Sequence, residues 1–327
     1  MSQRDRGKPG EASPAAPGRA PEARLEDALL SARRRLQAAA IESPAREARL
    51  LLGEVLGLNE VQLLTSLKRH LGAAEAERFE NLLKRRCRGE PVAYLLGERE
   101  FYGRSFQVDD RVLIPRPETE HLVEAALECL SSAADDSAPD DSAKTAPKVL
   151  DIGTGSGCIA VTLAAEHPVL RVVATDLSPA AAAVAAANAR RHQVQDRVSL
   201  ISADLDSQLP WSEFDLVVSN PPYIDPADAS SLSPQVTAFE PATALFAPDR
   251  GLQVLHRLMD RAAEVDSCPL LVEIGFGQLP AMRLAAEARG LEVQRVISDY
   301  AGIPRTVILR RAVAPRPPFS PPSSPPL

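Results

Sequence analysis

The chain is short of cysteine, of net basic charge and of long apolar runs, and each shortage removes a class of protein. Cys87, Cys129, Cys158 and Cys268 are scattered, form no CxxC pair and have no histidine at metal-ligand spacing. A disulfide-stapled secreted scaffold and a zinc module are therefore set aside, each cysteine is read as packing, and no metal is expected. With a formal net charge of -7 over 327 residues, the chain lacks the basic face by which proteins hold long nucleic acid through its phosphates, so no direct nucleic-acid binding is expected. No apolar stretch is long enough to span a bilayer, and Met1 to Ala20 lack a signal-peptide core. The expected setting is cytoplasmic, away from membranes, as a monomer.

What is present divides the chain by texture. Residues 1–21 are rich in Pro, Gly, Ala and charge without a hydrophobic period, and read as a disordered leader. Residues 22–90 read as a small helical bundle. Leu25, Ala28, Leu29, Ala32 and Leu36 recur at helical spacing, Ser43-Pro44 opens a second helix through Ala48, Leu51, Leu52 and Leu56, and two more are expected over Val61–Leu67 and Ala73–Arg86. The basic run Lys84, Arg85, Arg86 and Arg88 is either a solvated helix end favoured by the helix dipole or a patch that docks a partner. Residues 91–112, with Tyr94, Gly97, Phe101, Tyr102, Gly103 and Phe106, suggest a hairpin linking two domains.

The second domain covers residues 113–312. It starts with Leu113-Ile114-Pro115-Arg116-Pro117-Glu118-Thr119-Glu120 and a helix through Leu122 and Leu127; residues 131–147 within it are small, acidic and low in complexity, and read as a flexible insertion. From Lys148 onward strands and helices alternate, which predicts an α/β domain with a mostly parallel sheet covered on both faces. Residues 313–327 are proline-rich and read as a disordered tail.

Two strand ends carry the chemistry. After Val149-Leu150-Asp151-Ile152 comes Gly153-Thr154-Gly155-Ser156-Gly157, a turn whose glycines let backbone approach a ligand beside a helix N-terminus. Asp176 closes the next strand, where a carboxylate can accept from both hydroxyls of a ribose. The pair says nucleoside without separating a nicotinamide cofactor from S-adenosyl-L-methionine. Asp204 after the third strand is either a turn residue or a contact for the adenine end. The fourth strand ends in Asn220-Pro221-Pro222-Tyr223. Proline has no N–H and drives its predecessor to extended geometry. The corner therefore offers the Asn220 amide, free carbonyls and a flat wall, which suits a planar NH2 group and favours methyl transfer over hydride transfer.

These segments together resemble the seven-stranded S-adenosyl-L-methionine-dependent methyltransferases with a Rossmann-like sheet, and among them the HemK/PrmC family, which methylates a glutamine side-chain amide in peptide chain release factors. The likeness runs from about Leu25 to Leu309. It is most specific at Pro91–Gly97, Phe101-Tyr102-Gly103, Leu113–Glu120, Val149–Gly157 and Asn220–Tyr223, with weaker matches at Glu240-Pro241, Glu273-Ile274-Gly275 and Ala301-Gly302-Ile303. The resemblance implies that Gly153, Asp176 and Asn220 contact the cofactor or line its pocket; Asp151, Thr154, Gly155, Gly157 and Asp204 complete the candidate cofactor-binding set. The resemblance also implies that Asn220, Pro221, Pro222 and Tyr223 hold the substrate amide, with Asn220, Pro221 and Tyr223 catalytic and Arg116, Pro117 and Glu118 near the mouth. The helical domain is expected to supply substrate recognition. Two readings compete. A nucleic-acid amino methyltransferase also takes an NH2 at a similar corner, and a non-catalytic scaffold could retain the fold.

Overall fold

Leucines and alanines recurring every three or four residues build the first of two units, which divide between Val92 and Ala93. The computed structural model describes residues 23–135, 146–205, 209–266 and 268–312. The expected leader and tail, and most of the expected insertion, lie outside the described residues.

The first unit holds α1 (Leu25–Ala38), α2 (Pro44–Leu56), α3 (Glu60–Thr65) and α4 (Ala73–Cys87). Leu25, Leu36, Leu51, Leu52, Leu63, Phe79 and Leu83 are buried between them, each contributing roughly 1.5–3 kcal/mol by leaving water. Helix α2 begins with Pro44 and stops at Gly57, whose φ of 64° only glycine takes cheaply. Helix α3 starts one residue before Val61, because Asn59 and Gln62 form a reciprocal cap with bonds of 2.9 and 3.0 Å. The basic run at the end of α4 is not one solvated face: Arg86 is buried and paired with Glu47, while Arg85 binds Glu90 at 2.8 Å.

A short helix, α5 (Val92–Leu96), stands where the texture suggested only a hairpin. At little more than one turn it is too short to show a period. The hairpin itself follows, as antiparallel β1 (Glu98–Phe101) and β2 (Arg104–Gln107). Pro117–Thr119 forms a 3-10 turn that enters α6 (Glu120–Asp135), and this helix runs on into the stretch expected as an insertion.

The alternating part gives β3 (Lys148–Ile152), α7 (Cys158–Glu166), β4 (Arg171–Asp176), α8 (Pro179–Arg191), β5 (Val198–Ser202) and β6 (Leu216–Ser219). Three short segments that the sequence did not announce follow: α9 (Pro234–Phe239), α10 (Ala242–Leu245) and α11 (Pro248–Gly251). Next come α12 (Gln253–Ala262), β7 (Leu270–Glu273), α13 (Leu279–Glu287), β8 (Leu291–Ser298) and β9 (Pro304–Arg311).

Among the described residues these strands form a seven-stranded sheet in the order β5-β4-β3-β6-β7-β9-β8. Pairings from β5 through β7 are parallel, and β9 is antiparallel to both its neighbours. Alternate residues of each strand face opposite layers. Val149 and Val218 pack with Val123 and Ile159 on one face, and Leu150, Val217 and Val272 with Leu255, Leu258 and Met282 on the other. The strand order reverses between β3 and β6. Such a switch point opens a crevice at the carboxyl ends of the strands, and both candidate turns emerge there.

Candidate active site

Ile152 and Ser219 are register partners on β3 and β6, and the Ser219 hydroxyl donates to the Ile152 carbonyl at 2.8 Å. The chain leaves the two strands side by side, so Gly153 and Asn220 are the first residues beyond the sheet on adjacent strands.

On the β3 side, the N–H groups of Gly153 and Thr154 both donate to the Thr175 carbonyl at 2.9 Å, tying the turn to the end of β4. A Cβ on Gly153 or Gly155 would meet nothing within 4 Å. Those glycines border open space, whereas Gly157 is a packing glycine. Its φ is 79°, and a Cβ there would sit 3.0 Å from the Ala185 Cβ, so α7 approaches α8 only without one. Asp176 accepts from the Gly155 N–H through Oδ2 and from the Ser178 N–H through Oδ1, both at 2.8 Å. A carboxylate has about four acceptor positions, so each oxygen keeps one for a ligand hydroxyl. Asp151 is fully buried; its Oδ2 accepts from the Thr154 hydroxyl at 2.7 Å and its Oδ1 is a buried oxygen without a partner. Burial pushes its carboxyl up to about 7, against the Thr154 hydrogen bond that favours ionisation.

An open glycine cradle, a carboxylate with spare acceptors and an orphaned buried oxygen fit a bound nucleoside cofactor with a cationic, hydrogen-bonding tail. Thr154 belongs to this set through Asp151. Asp204 is exposed after β5 and accepts from Arg257 Nη2 at 2.7 Å. Two residues of this half escaped the sequence reading. Leu177, beside Asp176, is 64% exposed. Asn188 is fully buried in α8, donates to the carbonyls of Ser156 (2.8 Å) and Gln107 (2.9 Å), and accepts from the Gln107 N–H at 2.7 Å. It ties the glycine turn to β2. A lone asparagine inside an alanine-rich helix was the available signal.

On the β6 side, Pro221 is buried and Asn220, Pro222 and Tyr223 are half-buried. Asn220 Nδ2 donates to Thr119 Oγ1 at 3.1 Å, and the Thr119 hydroxyl donates to Glu273 Oε2 at 2.7 Å. The Tyr223 hydroxyl reaches Glu273 Oε1 at 3.4 Å, a weak contact. Glu273, the last residue of β7, is buried, and its carboxyl is pushed up to about 7 chiefly by that burial. Thr119 and Arg305 oppose the shift and Glu118 adds to it. Burial likewise raises the Tyr223 phenol. The Tyr223 carbonyl accepts from Gln278 Nε2 at 3.0 Å, and Gln278 Oε1 accepts from the Gly275 N–H at 2.8 Å.

The Arg116 guanidinium is held by Glu240 Oε1 at 2.6 Å, while Glu240 Oε2 accepts the Ile114 N–H at 3.2 Å. The Glu240 side chain is 1% exposed, so Arg116 anchors the segment that carries Thr119. The sequence drew attention to Arg116 and Glu118 in this segment; the residue that touches Asn220 is Thr119.

Two family models match separate parts of the chain, and several known proteins match most of it. A model described as the PrmC N-terminal domain matches residues 27–97, and one described as the methyltransferase small domain matches residues 138–255. A release factor glutamine methyltransferase of Koribacter versatilis is 41% identical over 292 residues, covering 88% of this chain and 98% of that protein. One of Cereibacter sphaeroides is 42% identical over 294 residues, covering 89% and 100%. Among solved structures, the hMettl16 catalytic domain in complex with a MAT2A 3'UTR hairpin superposes with a TM-score of 0.52 at 15% identity, over 87% of this chain and 95% of that one. At that identity the likeness is one of fold.

Proposed function

The chain belongs to the release factor glutamine methyltransferase family, and we propose that it methylates the side-chain amide nitrogen (N5) of a glutamine, that of the GGQ motif, in a peptide chain release factor. The cofactor is S-adenosyl-L-methionine, which supplies a methyl group on a positively charged sulfur. Asp176 holds the ribose hydroxyls with the acceptor positions left after Gly155 and Ser178, and Leu177 gives the purine an apolar wall. The open backbone of Gly153 and Gly155 and the Asp151 carboxyl face the cofactor's amino-acid tail.

The amide nitrogen is a poor nucleophile, because its lone pair is delocalised into the carbonyl. Asn220 Oδ1 and the Pro221 carbonyl each accept one N–H of the substrate amide. Their fixed dipoles hold the nitrogen and stabilise the positive charge that develops there as the new bond forms. Tyr223 walls the amide. No strong base is needed, since the proton becomes acidic only as the bond forms and leaves to water. Positioning of this kind contributes on the order of 7–11 kcal/mol.

The observation that carries this reading is the register pair Ile152–Ser219, after which the glycine turn and Asn220 leave adjacent central strands side by side at their carboxyl ends. With a translation protein as substrate, the enzyme works in the cytoplasm, as a monomer that binds no nucleic acid directly and draws recognition from its helical unit. Incubating purified protein with labelled S-adenosyl-L-methionine and release factor, DNA or RNA tests it. Label on the release factor glutamine, located by mass spectrometry, is expected; label on nucleic acid alone would overturn the assignment.

A further inference from the structure

Thr119 has one hydroxyl proton, and an ionised Glu273 commits it. The proton points to Glu273 Oε2 at 2.7 Å, which leaves the Thr119 oxygen as an acceptor for Asn220 Nδ2 at 3.1 Å. An asparagine amide is nearly symmetric in shape, and its two ends differ only in that one donates and the other accepts. Were the Asn220 amide turned over, Oδ1 would face an oxygen whose proton is already engaged, and two lone pairs would oppose each other. We infer that Glu273 and Thr119 are positioning residues that set the orientation of the Asn220 amide, so that its oxygen and not its NH2 is presented to the substrate. This rests on the proposed amide methylation, because only a substrate that donates N–H requires an oxygen there.

The three residues come from separate parts of the domain: a 3-10 turn, the end of β6 and the end of β7. Neither Glu273 nor Thr119 need touch the substrate. The arrangement also explains a carboxylate at the buried end of β7, beside apolar Val272 and Ile274. An ionised carboxylate only accepts, and so fixes the direction of the Thr119 proton, whereas a protonated one can donate and lets the relay reverse. The groups that face Glu273 are Thr119 and Glu118 from the 3-10 turn, Tyr223 from the corner after β6, Arg305 from β9 and the Cys158 thiol at the start of α7. Of these Arg305 favours the ionised form and Glu118 opposes it.

The test uses the full chain with release factor and S-adenosyl-L-methionine, and follows kcat, KM and thermal midpoint. Thr119→Val removes both roles of the hydroxyl and is expected to lower kcat about tenfold or more, with KM for release factor within about twofold. Thr119→Ser, which retains the proton and the lone pairs, is expected to restore most of kcat. Glu273→Gln cannot titrate, and its amide can turn either its oxygen or its NH2 to Thr119, so it no longer fixes the direction of the Thr119 proton. It is expected to lower kcat at alkaline pH and to abolish the fall in kcat expected of the wild type on the acid side of about pH 7. The inference is overturned if Thr119→Val keeps wild-type kcat, or if Thr119→Ser is as impaired as Thr119→Val. It is equally overturned if the acid-side fall persists in Glu273→Gln, a measurement that stands even if Thr119→Val does not fold. A wild-type protein that leaves release factor unmethylated removes the functional reading and this inference with it; an active wild type with indifferent variants removes the inference alone.

Discussion

Gly251 lies directly against the backbone of Tyr223: a Cβ at position 251 would stand 1.9 Å from the Tyr223 carbonyl oxygen and 2.8 Å from Gln278 Nε2. The same carbonyl accepts from Gln278, so the corner that holds Tyr223 is clamped from two directions. Gly251 also has a φ of 79°, where a side chain is strained whatever the space around it. Overpacking and left-handed strain together make Gly251→Ala destabilising by about 2 kcal/mol or more. Urea unfolding and turnover check it, and both are expected to suffer, because the backbone that must yield is that of the candidate catalytic corner. A variant with wild-type stability and rate would show that the corner does not depend on this approach.

Asn220→Ala removes an acceptor whose worth is greatest when charge develops on the substrate nitrogen. Loss of one such aligned group costs on the order of 10²–10³ in kcat. Affinity for S-adenosyl-L-methionine, measured by calorimetry, is expected to stay within about threefold, since the glycine turn and Asp176 remain. Near-normal turnover in this variant would remove Asn220 from the catalytic set.

Asp176→Ala acts on the other half of the site. It leaves the N–H groups of Gly155 and Ser178 without their 2.8 Å partners and deprives a ribose of its acceptor. Hydrogen bonds to a charged group contribute about 1.5–3 kcal/mol each, so cofactor affinity is expected to fall about tenfold to a hundredfold. Calorimetric titration with S-adenosyl-L-methionine measures this, and an unchanged affinity would dissociate Asp176 from the ribose.

The legibility of the molecule followed the range of its interactions. Helices α1, α2 and α4, strands β3, β4 and β6, and the glycine turn were readable because each is written in a local period, a cap or a glycine spacing. Helix α5 was hidden inside aromatic and glycine texture, and α9 to α11 are too short and irregular to show a period. Around Asn220, the family resemblance implied Arg116, Pro117 and Glu118 near the mouth. Thr119 reaches Asn220 across 101 positions and Glu273 reaches Thr119 across 154, and no local pattern encodes a contact of that range. Arg86 shows the same limit within the helical unit: four neighbouring basic residues suggested one surface, and a glutamate 39 positions away takes one of them inward.

Asp151 carries a prediction about stability and pH. In the folded protein burial holds its carboxyl up to about 7, against an ordinary value of 3.8. Below about pH 4 the group is protonated in both folded and unfolded chains and costs nothing through ionisation. As pH rises towards 7 the unfolded chain releases the proton while the folded chain keeps it, so folding becomes progressively less favourable. Above the folded value both forms are ionised and the penalty is constant. Asp151→Asn removes the titration while keeping the shape and an oxygen for the Thr154 hydroxyl. The variant is therefore expected to gain on the wild type between about pH 4 and pH 7, by on the order of a few kcal/mol, and to hold that margin at higher pH. Urea unfolding of both proteins across that range provides the difference curve. Glu273 titrates in the same window in both proteins and cancels from it. A margin that stays flat with pH would mean that Asp151 is not held protonated by its burial, and that its oxygen without a partner is open to water.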